Sequence, residues 1–414
     1  MRFRCCGTQG RRMGFVDAQR ASRGDLHVID TRAMLDGAIE QLAAGHGPVA
    51  IDTERASGYR YSDRAYLVQL YRRGAGTFLI DPLPFDDLRD VAAAIASAEW
   101  VLHAATQDLP CMRELGLEPT ALFDTELAAR LLGMQRVGLG SVVHELLGVE
   151  LAKAHSADDW STRPLPTQWL AYAALDVELL VDVRDALEER LISARKLDWA
   201  TQEFVAVLER DLSPRPFEQR WRRMSGIHQL RSPKQLAVAR SLWFARDALA
   251  RETDTAPGRL VPDRSLSAVA KAMPRTRGQL ASLESFTGKE SRTELDRWWR
   301  AVETGVNDEN PPQRERKDPG HIPHPKNWER KRPLANARLL AAKPAVADTA
   351  QSLQLPTENL LTPSILRRVA WDETAVKAHD VGLELRMHGA RQWQIDIVSP
   401  VISRAFVEAH QSHR

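Results

Sequence analysis

"VAIDTER", residues 49–55, is an apolar run that ends in two carboxylates with one residue between them. Read as a strand, it sends side chains i and i+2 to the same face. Asp52 and Glu54 then stand side by side as like charges at close range. Ionising both is unfavourable unless a cation lies between them. Alone, the triplet fits an exposed strand end as well as it fits a site. Its position favours a site, because the acids follow "VAI" where the chain leaves the core.

Around this stretch the pattern is β-like. "PVAIDTE", "AYLVQLYR" and "TFLID" are short β-rich runs between residues 48 and 81, separated by Gly, Ser, Asp and Arg. Their short connections predict an antiparallel meander. Helix and strand then alternate. A helix is expected over 86–97, a strand over "EWVLHAA" (99–105), and helices starting near Asp108 and Asp124. A long helix is expected from about 167 to 192, N-capped by Thr167, with Leu170, Ala173, Ala174, Val177, Leu180, Val181 and Leu187 toward the core. This is an α/β class, a mixed sheet flanked by helices. Gln69, in "YLVQL", faces either the site or the core.

The chain of 414 residues is long enough for two or three domains. Charge is unevenly spread along it. Residues 1–214 carry 23 Lys+Arg against 32 Asp+Glu, and residues 215–302 carry 18 against 9. An acidic body beside a basic module suggests a polyanionic partner, although a solvated basic face with no partner has the same signature. Arg outnumbers Lys 47 to 10, which suits bidentate phosphate contacts. Three cysteines form no CxxC pair, which fits a reducing, cytoplasmic setting and argues against structural zinc. No run approaches a membrane span. The basic start has no apolar segment of a signal peptide, and Met13 is an alternative start.

The expected organisation is a disordered extension (1–25), a catalytic domain (26–212), a basic all-helical domain (213–303), a Pro- and charge-rich linker (304–333) and a second helical domain (334–414). Leu260, Val261, Leu266, Val269 and Ala270 match Leu360, Leu361, Leu366, Val369 and Ala370 at a constant offset, a faint repeat that favours two related helical domains.

Two more acids stand where elements end. Asp108 follows the strand "WVLHAA", and Asp176 shares a helix face with Tyr172 four residues earlier. Each alone has a bland reading, Asp108 as an N-cap and Tyr172/Asp176 as a surface pair. The order Asp52-x-Glu54, Asp108, Tyr172-x-x-x-Asp176 resembles the DEDD exonuclease superfamily in its tyrosine-bearing branch. "SADDWSTRPLPTQWLAYAALDVELL" (156–180) resembles the ribonuclease D signature through Asp159-Trp160, Arg163-Pro164-Leu165 and Tyr172-Ala173-Ala174-Leu175-Asp176. "HAATQDL", with His103, and "FDTELAARLLG" resemble the motifs between. The match covers roughly 46–210.

The resemblance implies an RNase-H-like fold and 3′→5′ exonuclease activity on RNA, with tRNA precursors or other structured RNA as substrates. It implies Asp52, Glu54, Asp108 and Asp176 as ligands of two divalent cations, Mg²⁺ or Mn²⁺, with Tyr172 orienting the attacking water. Such ions favour carboxylate oxygen and together promote phosphodiester hydrolysis. Asp124 is expected to cap a helix and order the site from outside. His103 is read as structural or substrate-binding, Arg163 as a backbone contact, and Trp160 as either that or core. Arg55 either reaches substrate phosphate or shields the acids.

Residues 217–302 resemble the helicase-and-RNase-D C-terminal domain, HRDC, through Trp221-Arg222-Arg223, "LWFARDALARE", Pro262 and "LSAVAKAMPRTRGQL"; residues 334–410 resemble it less well. Arg220, Arg222, Arg223, Arg231 and Lys234 are candidates for phosphate, and Trp221 for base stacking or the core. The expected protein is a monomer with no obligatory protein partner. A DNA-directed exonuclease of the same superfamily and an inert RNA-binding scaffold are the alternatives. A helicase fragment lacks support, since no Gly-rich Lys-Ser/Thr phosphate loop is present.

Overall fold

The computed structural model describes residues 26–151, 155–213, 216–314, 322–375 and 377–412. The expected extension over 1–25 lies outside the described residues. The first domain is built on a six-stranded sheet of order β1-β4-β3-β2-β5-β6. Its strands are β1 (Val28–Ile29), β2 (His46–Arg55), β3 (Ala65–Arg73), β4 (Gly76–Ile80), β5 (Trp100–Leu102) and β6 (Leu122–Asp124). β2, β3 and β4 form the antiparallel meander, and β1, β5 and β6 join in parallel. The sheet is therefore mixed, as expected.

Helices α1 (Arg32–Ala44), α2 (Arg89–Ala94), α3 (Leu109–Glu114), α4 (Thr125–Leu131), α5 (Leu139–Leu147), α6 (Thr167–Glu178), α7 (Leu180–Ser193) and α8 (Leu197–Leu208) surround it. The expected long helix is two, broken at Leu179, and Thr167 is the first helical residue after Pro166 rather than the cap. The helix expected over 86–97 is confined to 89–94, and the strand over 99–105 to 100–102. α6 lies across β2, β3 and β4. Alternation along β2 puts Val49 and Ile51 into the main core, whereas Asp52 and Glu54 face α6. The β2–β3 register slips between Glu54 and Arg55, a bulge at the end of the strand that carries the acids.

The next domain comprises α9 (Pro233–Glu252), α10 (Pro257–Leu260), α11 (Asp263–Ala272), α12 (Arg277–Ala281), α13 (Lys289–Thr293) and α14 (Leu295–Val306). Ser232 and Gln235 close a capping box at the start of α9. α9 and α14 approach so closely that a Cβ at Gly305 would collide with the Val238 backbone. The last domain comprises α15 (Trp328–Lys331), α16 (Pro333–Ser352), α17 (Thr357–Leu360), α18 (Pro363–Trp371), α19 (Ala378–Met387) and α20 (Gln392–Ser412). The stretch expected to be a linker contains α15 with fully buried Trp328, so its later part packs with the helices that follow. The faint repeat has a counterpart in space. A 20-residue helix, a one-turn helix and a third helix start at Pro233, Pro257 and Asp263, and again at Pro333, Thr357 and Pro363. All ten matched apolar residues are buried.

Candidate active site

β2 delivers Asp52 and Glu54 to the face beneath α6, and α6 lowers Asp176 and Tyr172 onto them. One carboxylate oxygen from each of Asp52, Glu54 and Asp176 lies within 4.8 Å of the others. Glu54 and Asp176 are buried, and Asp52 keeps some contact with solvent. Asp108 arrives from the loop after β5 and stands beside this trio. Its Oδ1 accepts a hydrogen bond from Thr53 Oγ1 at 2.8 Å and lies 3.8 Å from Arg55 Nη2. It occupies the position before α3 without its side chain capping that helix, so the N-cap reading does not hold.

Three of the four carboxyl groups here feel the charge of one guanidinium, that of Arg55. Burial, then the charges of Asp108 and Asp176, push the Asp52 carboxyl well above the usual range. Glu54 is pushed up to about 10 by burial, then by Asp52, Asp176 and Asp108. Burial raises Asp176 to about 7 and lifts Asp108 as well. Arg55 opposes these shifts at Asp52, Glu54 and Asp108. Burial and the charges of Asp176 and Glu54 raise the Tyr172 phenol above its ordinary value, so it keeps its proton beside Asp176. The donor set is all carboxylate, which suits a hard cation such as Mg²⁺ or Mn²⁺. A divalent charge is what would let these buried acids ionise together.

Several expected contact residues have other partners. His103 Nδ1 lies 2.8 Å from Thr125 Oγ1, and burial lowers its pKa to about 4, so it sits neutral in a structural contact. Trp160 is fully buried, donates to the His155 carbonyl at 3.0 Å and packs near Trp169 and Tyr172. It takes the core role. Arg163 donates to Asp81 and to the carbonyls of Tyr66, Trp160 and Thr162, so it staples the chain before α6 to the sheet. Trp221 is buried in the basic domain and cannot stack on a base. The Arg222 guanidinium covers that ring at 4.5 Å and donates to Gln219 and Gln313, while Arg220 lies over Phe217 at 5.9 Å. Lys234 caps the end of α14 through the Val306 and Asp308 carbonyls. Arg223 and Arg231 are exposed.

Asp124 does cap α4, accepting from the Glu126 and Leu127 amides, and it also accepts from Ala104 and Ala105. It thereby binds the loop that leads to Asp108. Thr53 and His155 escaped the sequence reading. Thr53 was masked by its place between two acids, although alternation alone puts it on the opposite face. The His155 ring meets Tyr172 edge-on at 5.8 Å, a contact that depends on a loop no periodicity announces.

Residues 26–192 match the family model described as 3′-5′ exonuclease, residues 235–302 the HRDC domain, and residues 321–406 the 3′ to 5′ exonuclease C-terminal domain. The ribonuclease D of Pseudomonas paraeruginosa is 35% identical over 259 residues, 60% of this chain and 66% of that protein. The chain thus spans just under two thirds of that relative. The ribonuclease D of Gluconacetobacter diazotrophicus is 34% identical over 273 residues, 65% of this chain and 68% of the relative. A crystal structure of a protein from Bifidobacterium adolescentis superposes with a TM-score of 0.81 at 38% identity, covering 92% of this chain and 97% of that one. The structure of Escherichia coli RNase D, described as an exoribonuclease involved in structured RNA processing, does so with a TM-score of 0.66 at 25% identity, covering 92% and 98%. With its exonuclease fold, its HRDC domain and relatives of this identity, the chain belongs to the ribonuclease D family.

Proposed function

We propose that this protein is a 3′→5′ exoribonuclease that hydrolyses the last phosphodiester of an RNA and releases a 5′-mononucleotide. The observation that carries the reading is the trio of Asp52, Glu54 and Asp176, one oxygen of each within 4.8 Å of the others, with the charge of Asp108 felt at Asp52 and Glu54. These four would hold two divalent cations, Mg²⁺ or Mn²⁺. When bound, such ions lower the pKa of water and neutralise charge on the leaving oxygen. In the reaction, water oxygen bonds to the terminal phosphorus, the bond from phosphorus to the 3′ oxygen breaks, and that oxygen leaves as a 3′-hydroxyl.

The chain's own residues set the geometry. Tyr172, held as a neutral phenol, orients water by hydrogen bonding rather than by removing its proton. Thr53 fixes one oxygen of Asp108 and leaves the other free for a cation. Arg55 balances part of the charge. The basic domain holds the RNA, with exposed Arg223 and Arg231 against phosphates and Arg220 and Arg222 beside them. Structured RNA, tRNA precursors among them, is the substrate class, a reading supported by the description of the Escherichia coli relative. No described helix is long and apolar enough to cross a membrane, and action in the cytoplasm as a monomer completes the proposal.

The test is 3′-hydroxyl RNA and DNA of the same sequence incubated with Mg²⁺ or Mn²⁺, using the wild type and Asp52→Ala. Mononucleotides released from the RNA by the wild type alone are expected. No release by either protein would overturn the enzyme reading, equal release would overturn the site, and preference for DNA would favour the DNA-directed alternative.

A further inference from the structure

Gln69 is fully buried in β3, and among the described residues neither its Nε2 nor its Oε1 has a hydrogen-bond partner. Buried polar side chains are nearly always paired, and Leu or Met would fill the same space without an orphaned amide. The residue is therefore unexplained as core filling.

Its position supplies an explanation. Gln69 is the residue of β3 directly opposite Asp52 on β2. Directly opposed residues of an antiparallel pair project to the same face, with Cβ atoms about 4.5–5.5 Å apart. The rest of its surroundings on that face is apolar. Leu67 and Leu79 flank it on the sheet, and α6 packs on β3 with Ala173 and Ala174 buried in the same apolar cluster as those leucines. Further along, Thr77 and Glu178 satisfy each other at 2.7 Å. Among the polar residues of this face, Asp52 is the one directly opposite Gln69.

We propose that Gln69 is a positioning residue of the acidic site: its buried amide, without a partner in this structure, donates from β3 to the carboxylate of its cross-strand neighbour Asp52 when a cation holds that carboxylate ionised. The inference rests on the reading of the acids as cation ligands. An ionised Asp52 turned toward a cation has one oxygen to spare, and the Gln69 NH₂ holds it. A carboxylate accepting such a bond has one orientation instead of several. Gln69 touches neither RNA nor cation, so removing it acts on cation affinity and turnover and not on RNA binding.

The experiment uses the full chain with Gln69→Leu and Gln69→Met. Mn²⁺ binding is titrated calorimetrically without RNA, folding is followed by circular dichroism and Tm, and kcat and KM are measured on 3′-hydroxyl RNA. Both variants are expected to fold with Tm equal to or above the wild type, because they remove an orphaned amide. Their Mn²⁺ Kd should rise about tenfold, the scale on which residues that orient ligands act, with kcat lowered and KM for RNA unchanged. Wild-type Mn²⁺ affinity in both variants would overturn the assignment, as would loss of folding in both, which would make Gln69 structural. The outcomes separate from those for the nuclease itself. A wild type that binds Mn²⁺ but leaves RNA intact would refute the nuclease alone, whereas a wild type that binds no Mn²⁺ would refute the cation site and this inference together.

Discussion

Asp52, Glu54 and Asp176 form a site that is unfavourable while it is charged and alone, and that fact has a measurable pH dependence. Asp176 moves from an ordinary value of 3.8 to about 7 on folding, and Glu54 from 4.5 to about 10. The folded state holds protons that the unfolded chain has released. Their stabilising effect is fully present below about pH 4 and is lost as pH rises through 7 for Asp176 and toward 10 for Glu54. In EDTA, Tm should therefore fall from about pH 5 to about pH 9. Saturating Mg²⁺ should flatten that slope, because cation binding favours the deprotonated ligands. Asp176→Asn should remove part of the slope in EDTA and abolish most turnover, on the order of 10³-fold, as expected if several kcal/mol of charge stabilisation are lost. A Tm that rises with pH in EDTA would contradict this account. Thr53→Val is a subtler probe. It keeps the shape but frees Asp108 from its 2.8 Å bond, and kcat should drop about 10–100-fold with Tm little changed.

At the scale of elements, the site depends on a loop that has to be held. Between β5 and α3 the chain passes through a left-handed residue, Ala104 at φ 60°, before reaching Asp108. Asp124 ties the Ala104 and Ala105 amides to the start of α4. Asp124→Ala would leave buried amides unpaired, so a stability loss on the order of 3 kcal/mol is expected in a denaturant titration, with kcat reduced more than KM is raised. A variant as stable and active as the wild type would show the loop to be held by other means. The same elements show what could be read in advance. The β2–β4 meander was legible because its apolar runs have strand length and clear punctuation. β1, of two residues, is too short to leave a pattern. The break at Leu179 lies in "ALDVELLVD", where no Gly or Pro signals it. The order of the four acids and Tyr172 along the chain is what makes them candidates, and the structure brings Asp52, Glu54 and Asp176 together. The turn of Asp108 toward Thr53, and the engagement of Arg163 with four partners, depend on strands and loops far apart in sequence.

At the scale of the whole molecule, the two helical domains grip the catalytic domain in different ways, and the difference predicts different losses. The last domain shares a core with it. Trp393 stacks on Trp199 of α8 at 4.8 Å and donates to Glu203, while Lys196 donates to the carbonyls of Leu131 and Leu353. Trp393→Ala should therefore cost about 3–5 kcal/mol of stability, since a large ring leaves a cavity and Glu203 loses a donor. Among the described residues, the hydrogen bonds and ring contacts of the basic domain with the catalytic domain fall on the loop after Arg55. Tyr61 donates to Asp247 at 3.0 Å and accepts from Arg251 at 2.7 Å, and Arg259 lies over the Tyr59 ring at 3.9 Å. This contact is polar and partly exposed, so Tyr61→Ala with Arg259→Ala should cost little stability. It should act on substrate instead, because the loop joins the acidic strand to the domain proposed to hold RNA. The double variant should cleave a dinucleotide at the wild-type rate, since the acids are untouched. On a long structured RNA its KM should rise several-fold and its salt dependence should become shallower as phosphate contacts are lost. An equal loss on both substrates would mean that the loop sets the geometry of the acids themselves. No loss on either would mean that the basic domain does not guide RNA to the site.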